Sequence, residues 1–201
     1  MAYIALIRHG ETYWNAERRT QGHSHNPLNE LGLQQAEKVA DRLAATPWKW
    51  DVLLSSDLMR ARQTTEIIAR RLQLEIVEWD VRLREVDRGQ ISGTTEAERI
   101  ERWGAGWRQL DLGIETSEKL RLRGSACLED IAREYKGKRV LIVSHGIILS
   151  NVLAHLVPDL DSSSNLHNTS MTILTKADAD QPWQCELYNC AKHLESSSVP
   201  K

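Results

Sequence analysis

The sequence predicts a three-layer α/β fold, in which helices cover both faces of a mostly parallel central sheet. Short apolar runs of strand length, at residues 4–7, 52–54 and 140–143, alternate with stretches whose apolar residues recur at helical spacing. This alternation is typical of parallel sheets that are buried on both sides. The length of 201 residues fits one domain, or one domain with an insertion.

The first half of the chain is predicted to contain three strands and two long helices. The strands are expected at 4–7, 51–54 and 75–78, and a polar stretch at 13–23 has the composition of a short helix and loop. The helix that ends before Pro47 has an inward stripe formed by Leu31, Ala36, Val39, Ala40 and Leu43. The following helix has Asp57 as its expected N-cap.

The second half continues with a loop at 83–93 and a helical stretch at 94–112 that Gly104 and Gly106 interrupt. The remaining elements are expected to be a helix at about 117–135, a strand at 139–143, a helix from about 147 to Pro158, and a hairpin of strands at 171–174 and 185–188. We interpret 1–195 as a single domain, with 94–115 as a lid or insertion over the site. Residues 196–201 are expected to form a flexible tail.

Composition excludes several classes of protein. The net charge of -2 does not provide the basic surface that nucleic-acid binding requires, and no apolar run approaches the length of a membrane span. The three cysteines, Cys127, Cys185 and Cys190, are odd in number, and no apolar leader precedes the first strand. This pattern indicates reduced thiols in a cytosolic protein. Neither a G-x-G-x-x-G nor a P-loop motif is present.

Polar residues directly follow three of the predicted strands. If these strands are parallel neighbours, one edge of the sheet collects Arg8, His9, Ser55, Ser56, Ser144 and His145. Open α/β sheets bind their ligands at this edge. Imidazole and guanidinium groups together suit phosphoryl transfer. A neutral imidazole is a good nucleophile, and guanidinium groups match the charged phosphate oxygens.

Several motifs occur in the order typical of one family. Arg8-His9-Gly10-Glu11-Thr12, followed by Trp14-Asn15, resembles the signature of the histidine phosphatase superfamily, the phosphoglycerate mutase-like proteins. Further matches are Gln21-Gly22, the S-x-L-x-R-A-x-x-T pattern within 55–64, Leu83-Arg84-Glu85 with Gly89 and Gly93, Ser144-His145-Gly146, and Asn168-Thr169-Ser170. The resemblance covers nearly the whole chain and implies a phosphoglycerate mutase-like fold.

The resemblance also implies a role for each matched residue. His9 would be the nucleophile that becomes phosphohistidine, and Glu85 would donate the proton to the leaving group. The catalytic set would be His9, Glu85, His145, Arg8 and Arg60. The phosphate would be bound by Arg8, Asn15, Gln21, Arg60 and His145. No metal or other cofactor is implied.

From the residues alone, other interpretations stay open. His9 could cap a loop, and His145 could hydrogen-bond a backbone carbonyl. Arg60 could be a solvated charge on the outer face of its helix. Glu11 and Asp87 are acids close to the loop glutamate and could act as the proton donor in its place.

The function that the resemblance implies is a metal-independent phosphomonoesterase acting on small phosphorylated metabolites. The compact bacterial branch fits, because the chain is short and lacks the basic, tyrosine-containing segment that follows the loop glutamate in cofactor-dependent phosphoglycerate mutases. The alternatives are such a mutase, or an inactive phosphoester- or partner-binding protein on the same fold. We expect a small phosphorylated substrate, no nucleic-acid or membrane partner, and a cytoplasmic monomer or homodimer.

Two segments differ from the family pattern or leave the substrate open. The stretch at 112–117 replaces a G-G-E-S-like sequence, and residues 94–115 are expected to form the wall of the pocket beyond the phosphate. The tail at 188–194 resembles a histidine-bearing tail of several phosphatases. A contact between His193 and a substrate carboxylate is therefore a hypothesis, and a surface histidine is its alternative.

Overall fold

Six strands form one central sheet in the computed structural model, which describes residues 1–161 and 165–195. The strands are β1 (Ala2–Arg8), β2 (Val52–Ser55), β3 (Ile76–Trp79), β4 (Arg139–Ser144), β5 (Met171–Lys176) and β6 (Gln184–Cys190), in the order β3-β2-β4-β1-β5-β6. The first four are mutually parallel, whereas β5 and β6 form the predicted antiparallel hairpin at one edge. The mostly parallel sheet is thus confirmed.

The helices lie on both faces of this sheet and make the three predicted layers. They are α1 (Tyr13–Ala16), α2 (Glu30–Ala44), α3 (Met59–Leu72), α4 (Glu96–Trp103), α5 (Ser117–Glu134) and α6 (Gly146–Leu156). Alternate residues of β1 point to opposite faces. Ile4 and Leu6 join a core with α5 and α6, while Ala5 and Ile7 join a core with α2 and α3.

Two details differ from the sequence-based expectation. Leu31 is 49% exposed, and Gly32 is buried on the inward face of α2 instead. Asp57 does not cap α3. The N-cap is Leu58, without a side-chain cap bond, and the Asp57 carboxylate binds the Arg84 guanidinium at 2.7 Å. The competing guanidinium comes from a loop 27 residues later, so local sequence could not reveal it.

The segment at 94–112 is helical and interrupted, as predicted. α4 ends at Gly104, whose φ of 79° suits glycine, and a short 3₁₀ turn follows at Trp107–Gln109. Ile91, Trp107 and Leu112 form a small apolar cluster of their own. The predicted tail at 196–201 lies outside the described residues. Among those that are described, no helix is long and apolar enough to cross a membrane.

Candidate active site

The three predicted strand ends do meet at one edge of the sheet. β4 lies between β2 and β1, and its register pairs Arg8 with Ser144 and Ser55 with Val143. The backbone continues this pairing past the strands, since the His9 N–H donates to the Ser144 carbonyl at 3.0 Å. The side chains at these strand ends are therefore carried by buried, hydrogen-bonded backbone.

A cavity of about 520 Å³ opens at this edge. Its lining includes Arg8, His9, Asn15, Gln21, Arg60 and Glu85, six of the seven site residues that the sequence predicts. The seventh, His145, is fully buried behind the wall, and its ring centroid lies 5.1 Å from that of His9. The structure thus brings all seven predicted site residues together.

Hydrogen bonds select the tautomer of His9. Its Nδ1 lies 2.7 Å from the Gly10 carbonyl oxygen, which can only accept, so Nδ1 carries the proton. Its Nε2 is then unprotonated and accepts from the Arg60 Nε at 3.2 Å. Burial, reinforced by the charges of Arg60 and Arg8, holds the pKa of His9 well below its usual value. A neutral imidazole whose Nε2 is unprotonated is the nucleophilic form, and the hydrogen bond from Arg60 orients this nitrogen at the cavity.

Arg60 is buried to 1% exposure in the first turn of α3. Besides His9, its guanidinium donates to the carbonyls of Ser24 at 3.0 Å and Gly22 at 2.9 Å. Burial lowers the pKa of Arg60 to about 10, which leaves it charged at neutral pH. A solvated surface charge, the alternative interpretation of this residue, does not fit such burial.

Arg8 is the last residue of β1 and lines the cavity together with His9. Its Nη1 donates to the Leu166 carbonyl, while its Nε is buried without a hydrogen-bond partner among the described residues. Gly146 lies next to this guanidinium, since a Cβ at Gly146 would be in van der Waals contact with the Arg8 Nε, at 3.4 Å. Arg8 and Arg60 therefore provide two fixed cations beside the nucleophile.

His145 contacts Ser56 through one of its ring nitrogens. Its Nε2 lies 2.8 Å from the Ser56 Oγ, and its buried Nδ1 has no hydrogen-bond partner in the described part of the chain. Burial, together with Arg60 and the other nearby groups, holds the pKa of His145 well below its usual value. An arriving phosphate dianion would favour its protonated form.

Glu85 is placed at the N-terminus of α6. Its Oε1 accepts from the backbone N–H groups of Ile148 and Val86, both at 3.0 Å, and its Oε2 accepts from that of Ile147 at 3.1 Å. The partial positive charge of a helix N-terminus attracts such a carboxyl group. Of the three acids that the sequence left open, Glu85 is the one that lines the cavity in the described chain.

Sequence reasoning missed the residue that holds the Glu85 loop, which is Arg123 on α5. Its guanidinium donates to the carbonyls of Arg82, Arg84 and Glu85 at 2.7, 2.8 and 2.9 Å. It also forms a two-pronged ion pair with Glu115, at 2.8 and 2.9 Å. The sequence shows only that Arg123 lies on a helix with an apolar stripe. That pattern does not reveal contacts with a distant loop.

Asn15 is oriented by the capping box of α1. Its Oδ1 accepts from the backbone N–H of Thr12 at 3.2 Å, and the Thr12 Oγ1 accepts from the Asn15 N–H at 3.0 Å. This engages the oxygen of the amide and leaves its NH₂ group as the donor. The Oε1 of Gln21 is another buried polar atom without a partner among the described residues. Because an amide oxygen only accepts hydrogen bonds, a phosphate would be bound by the NH₂ group of Gln21.

Two predicted features lie away from the cavity. The ring nitrogens of His193 face Arg42 at 3.2 Å and the Thr169 hydroxyl at 3.1 Å, so they are engaged outside the lining. Residues 94–115 contribute no lining residue in the described chain. The wall beyond the phosphate is formed by Arg88, Ile147 and Ser150, among others. The interpretation of 94–115 as a lid stays a prediction.

No group of three or more His, Cys, Asp or Glu side chains with the geometry of a metal site occurs among residues 1–161 and 165–195.

An α/β sheet that brings two histidines and several arginines to one cavity defines an enzyme that binds and transfers phosphoryl groups. The chain belongs to the histidine phosphatase superfamily, because the sequence model of branch 1 of that family matches residues 4–191. The resemblance stated from the motifs is confirmed.

Individual relatives support the same class. Over 96% of its length the chain is 34% identical to uncharacterized phosphatase PhoE of Bacillus subtilis, of which 97% is covered. It is also 34% identical to a metal-independent phosphoserine phosphatase of Arabidopsis thaliana, covering 96% of this chain and 83% of that one. The solved structure of Bacillus stearothermophilus YhfR matches with a TM-score of 0.84 and 28% identity, covering 97% and 100% of the two chains. The protein is a phosphoric monoester hydrolase.

Proposed function

We propose that the protein hydrolyses small phosphorylated metabolites without a metal, through a phosphohistidine intermediate on His9. The observation that carries the proposal is the state of the His9 ring. Its Nδ1–H is fixed by the Gly10 carbonyl, and its unprotonated Nε2 lies at the cavity beside Arg60. That arrangement is the one a nucleophilic histidine requires.

In the first step, the His9 Nε2 lone pair attacks phosphorus and the bond from phosphorus to the ester oxygen breaks. Arg8 and Arg60 neutralise the charge on the phosphoryl oxygens, with His145, Asn15 and Gln21 as further donors. Glu85 gives its proton to the leaving oxygen, which departs as the neutral alcohol. The products of this step are phospho-His9 and the Glu85 carboxylate.

In the second step, water attacks phospho-His9 and the bond from phosphorus to nitrogen breaks. The Glu85 carboxylate accepts a proton from the attacking water, and inorganic phosphate leaves. His9 returns to its neutral state, and Glu85 again carries the proton that the next turnover needs. The two steps together consume one phosphomonoester and one water.

The proposal extends to the setting expected from the sequence, a cytoplasmic monomer or homodimer that works without nucleic acid or membrane. The supporting observation is that Cys127, Cys185 and Cys190 are all free thiols. A reducing compartment maintains thiols in this form. The net charge of -2 gives no general attraction to a nucleic-acid backbone.

The test is phosphate release from para-nitrophenyl phosphate, phosphoserine and 3-phosphoglycerate in excess EDTA. Wild type is expected to remain active, and His9→Ala is expected to lose at least about a thousandfold in kcat. His155→Ala, which removes an exposed imidazole at the end of α6, is the matched control and should retain full activity. Isomerisation of 3-phosphoglycerate in place of hydrolysis would favour the mutase alternative. Binding without turnover would favour the inactive one.

A further inference from the structure

Four arginines line the cavity, and three of them have partners within the chain. Arg60 donates to His9 and to two backbone carbonyls, Arg8 donates to a backbone carbonyl, and Arg19 pairs with Glu98 at 2.7 Å. The Arg88 guanidinium makes no hydrogen bond or ion pair with any residue in 1–161 or 165–195. It is a cation at the cavity whose donors are available to a ligand.

The backbone around Arg88 is held in place. Gly89 has a φ of 48°, and a Cβ there would lie 2.2 Å from the Leu112 carbonyl oxygen, so glycine is required for this close approach. The Ile91 N–H donates to the Arg88 carbonyl at 3.1 Å, and the Gln90 N–H donates to the Leu112 carbonyl at 2.9 Å. Arg88 thus projects from a fixed turn, as a specificity residue should.

The environment of Arg88 favours an anionic ligand. Its side chain is partly buried, and this burial lowers the pKa of the guanidinium, while Glu85 opposes the shift and Arg99 adds to it. Glu85 is nearby but forms no ion pair with it within 4.0 Å in the described chain. A cation that is partly desolvated without a close counter-charge is stabilised by binding an oxyanion.

The charges at the site do not balance with a phosphate alone. Arg8 and Arg60 lie beside His9 and match the two charges of a phosphomonoester dianion. Arg88 is a further cation at the same cavity, and the fourth arginine, Arg19, is already paired with Glu98. A substrate with an additional negative group would therefore meet a cation that has no ion-pair partner among the described residues.

The position of Arg88 indicates where that group lies. Arg60 hydrogen-bonds the nucleophile His9, whereas Arg88 follows Glu85 by three positions in the same loop and lines the same cavity. We therefore place Arg88 beside the phosphate clamp, next to the proton donor. Glu85, as the proton donor, must face the leaving oxygen. Arg88 therefore faces the alcohol part of the substrate.

We propose that Arg88 is a specificity-determining residue that binds an oxyanion, a carboxylate or a second phosphate, on the alcohol part of the substrate. This inference rests on the proposed function. The guanidinium fork would bind either group through two parallel N–H···O bonds. The substrate class is then phosphomonoesters of acidic alcohols.

The test compares 3-phosphoglycerate with glycerol 3-phosphate, which differ only in a carboxylate against a hydroxymethyl group. Arg88→Met is expected to lower kcat/KM for 3-phosphoglycerate by about tenfold to a hundredfold, mainly through KM, because one charge-assisted contact is lost. The value for glycerol 3-phosphate should stay within about twofold. A second pair, propane-1,3-diol bisphosphate and its monophosphate, differs by one phosphate group and tests whether Arg88 binds a phosphate or a carboxylate. A selective loss in this pair alone identifies a phosphate.

Two controls accompany the variant. Arg70→Met removes an exposed arginine of α3 that pairs with Glu37, and it should leave both substrate ratios unchanged. Arg88→Lys keeps the positive charge but not the guanidinium fork, so it should retain part of the preference for the substrate with the additional oxyanion. It replaces Arg88→Met as the test if that variant does not fold. An equal loss on both members of each pair, or no loss on either, would overturn the proposal.

Binding measurements separate this inference from the proposed function. If wild type fails to hydrolyse para-nitrophenyl phosphate, the proposed function is wrong, whatever Arg88 does. Titration calorimetry tests the subsite without turnover. It compares the affinities of 3-phosphoglycerate and glycerol 3-phosphate for the His9→Ala variant and for the double variant His9→Ala/Arg88→Met. Equal affinities of His9→Ala for 3-phosphoglycerate and glycerol 3-phosphate, together with equal affinities for the bisphosphate and the monophosphate of propane-1,3-diol, would contradict the role of Arg88.

Discussion

Arg123 offers a sharp test of how the proton donor is positioned. In Arg123→Met, the loop that carries Glu85 loses three hydrogen bonds to its carbonyls and the ion pair with Glu115. The two side chains of the pair are 22% and 14% exposed, so both charges are largely removed from water. The variant leaves a carboxylate without its partner and keeps most of the apolar stem of the arginine.

The magnitude follows from this geometry. Removing one partner of a buried, hydrogen-bonded ion pair costs about 3–5 kcal/mol, and the partial exposure here places the expected loss near about 3 kcal/mol. For a chain of this size, that loss lowers Tm by about 6–12 °C. Displacement of Glu85 should also lower kcat by about tenfold to a hundredfold, with a smaller change in KM, because the phosphate clamp is intact.

The matched control is Arg133→Met on the same helix. Arg133 is 76% exposed and pairs with Asp130 on the helix surface, so Tm should stay within about 2 °C of wild type. Thermal unfolding followed by circular dichroism and steady-state hydrolysis of para-nitrophenyl phosphate measure both effects. A Tm loss with unchanged kcat would refute the positioning of Glu85 by Arg123. Equal Tm values for the two variants would refute the energetic reasoning.

Three further predictions follow from the site and its surroundings. Asp57→Asn should destabilise the protein by about 1 kcal/mol at pH 7 in urea unfolding. Because hydrogen bonding to its arginine partner lowers the pKa of Asp57, the difference should shrink as the pH falls below about 3.9, the unfolded-state value, and vanish only below the lower pKa of the folded state. Gly10→Ala should cost about 1–3 kcal/mol, since its Cβ would lie 2.5 Å from the Gly32 carbonyl oxygen, whereas Gly106→Ala, with no neighbour within 4 Å, should be neutral by the same assay. Because the pKa of His9 is lowered, single-turnover phosphoryl transfer should keep its rate as the pH falls through 6.5, and a loss centred at 6.5 would contradict the buried neutral imidazole.

The sequence predicted the sheet edge well because its signals are local. Three apolar runs each end in polar residues, and parallel strands bring such ends together. The runs at 4–7 and 140–143 correspond to the neighbouring strands β1 and β4, so His9 and His145 meet although 136 positions separate them in the chain. The motifs then identified the arginines and the glutamate that accompany them.

Contacts between distant segments could not be predicted in the same way. Arg123 reaches carbonyls 38 to 41 positions earlier in the chain, and no local pattern distinguishes it from a surface arginine. Asp57 fits the pattern of an N-cap, but a two-pronged bond to Arg84 is stronger than a single cap bond. Arg88 was hidden for the same reason, since a charge in a loop is usually solvated. Its significance comes from the partners it lacks among the described residues.

The central claim is that His9 carries the phosphoryl group, and direct trapping of the intermediate tests it. Wild type and Glu85→Gln are mixed with ³²P-labelled para-nitrophenyl phosphate, quenched in alkali and analysed by peptide mass spectrometry. The account predicts one phosphoryl group on the peptide that contains His9, stable in alkali and lost in acid, and none in His9→Ala. Substrate hydrolysis without this label, or a label on another residue, would contradict the account.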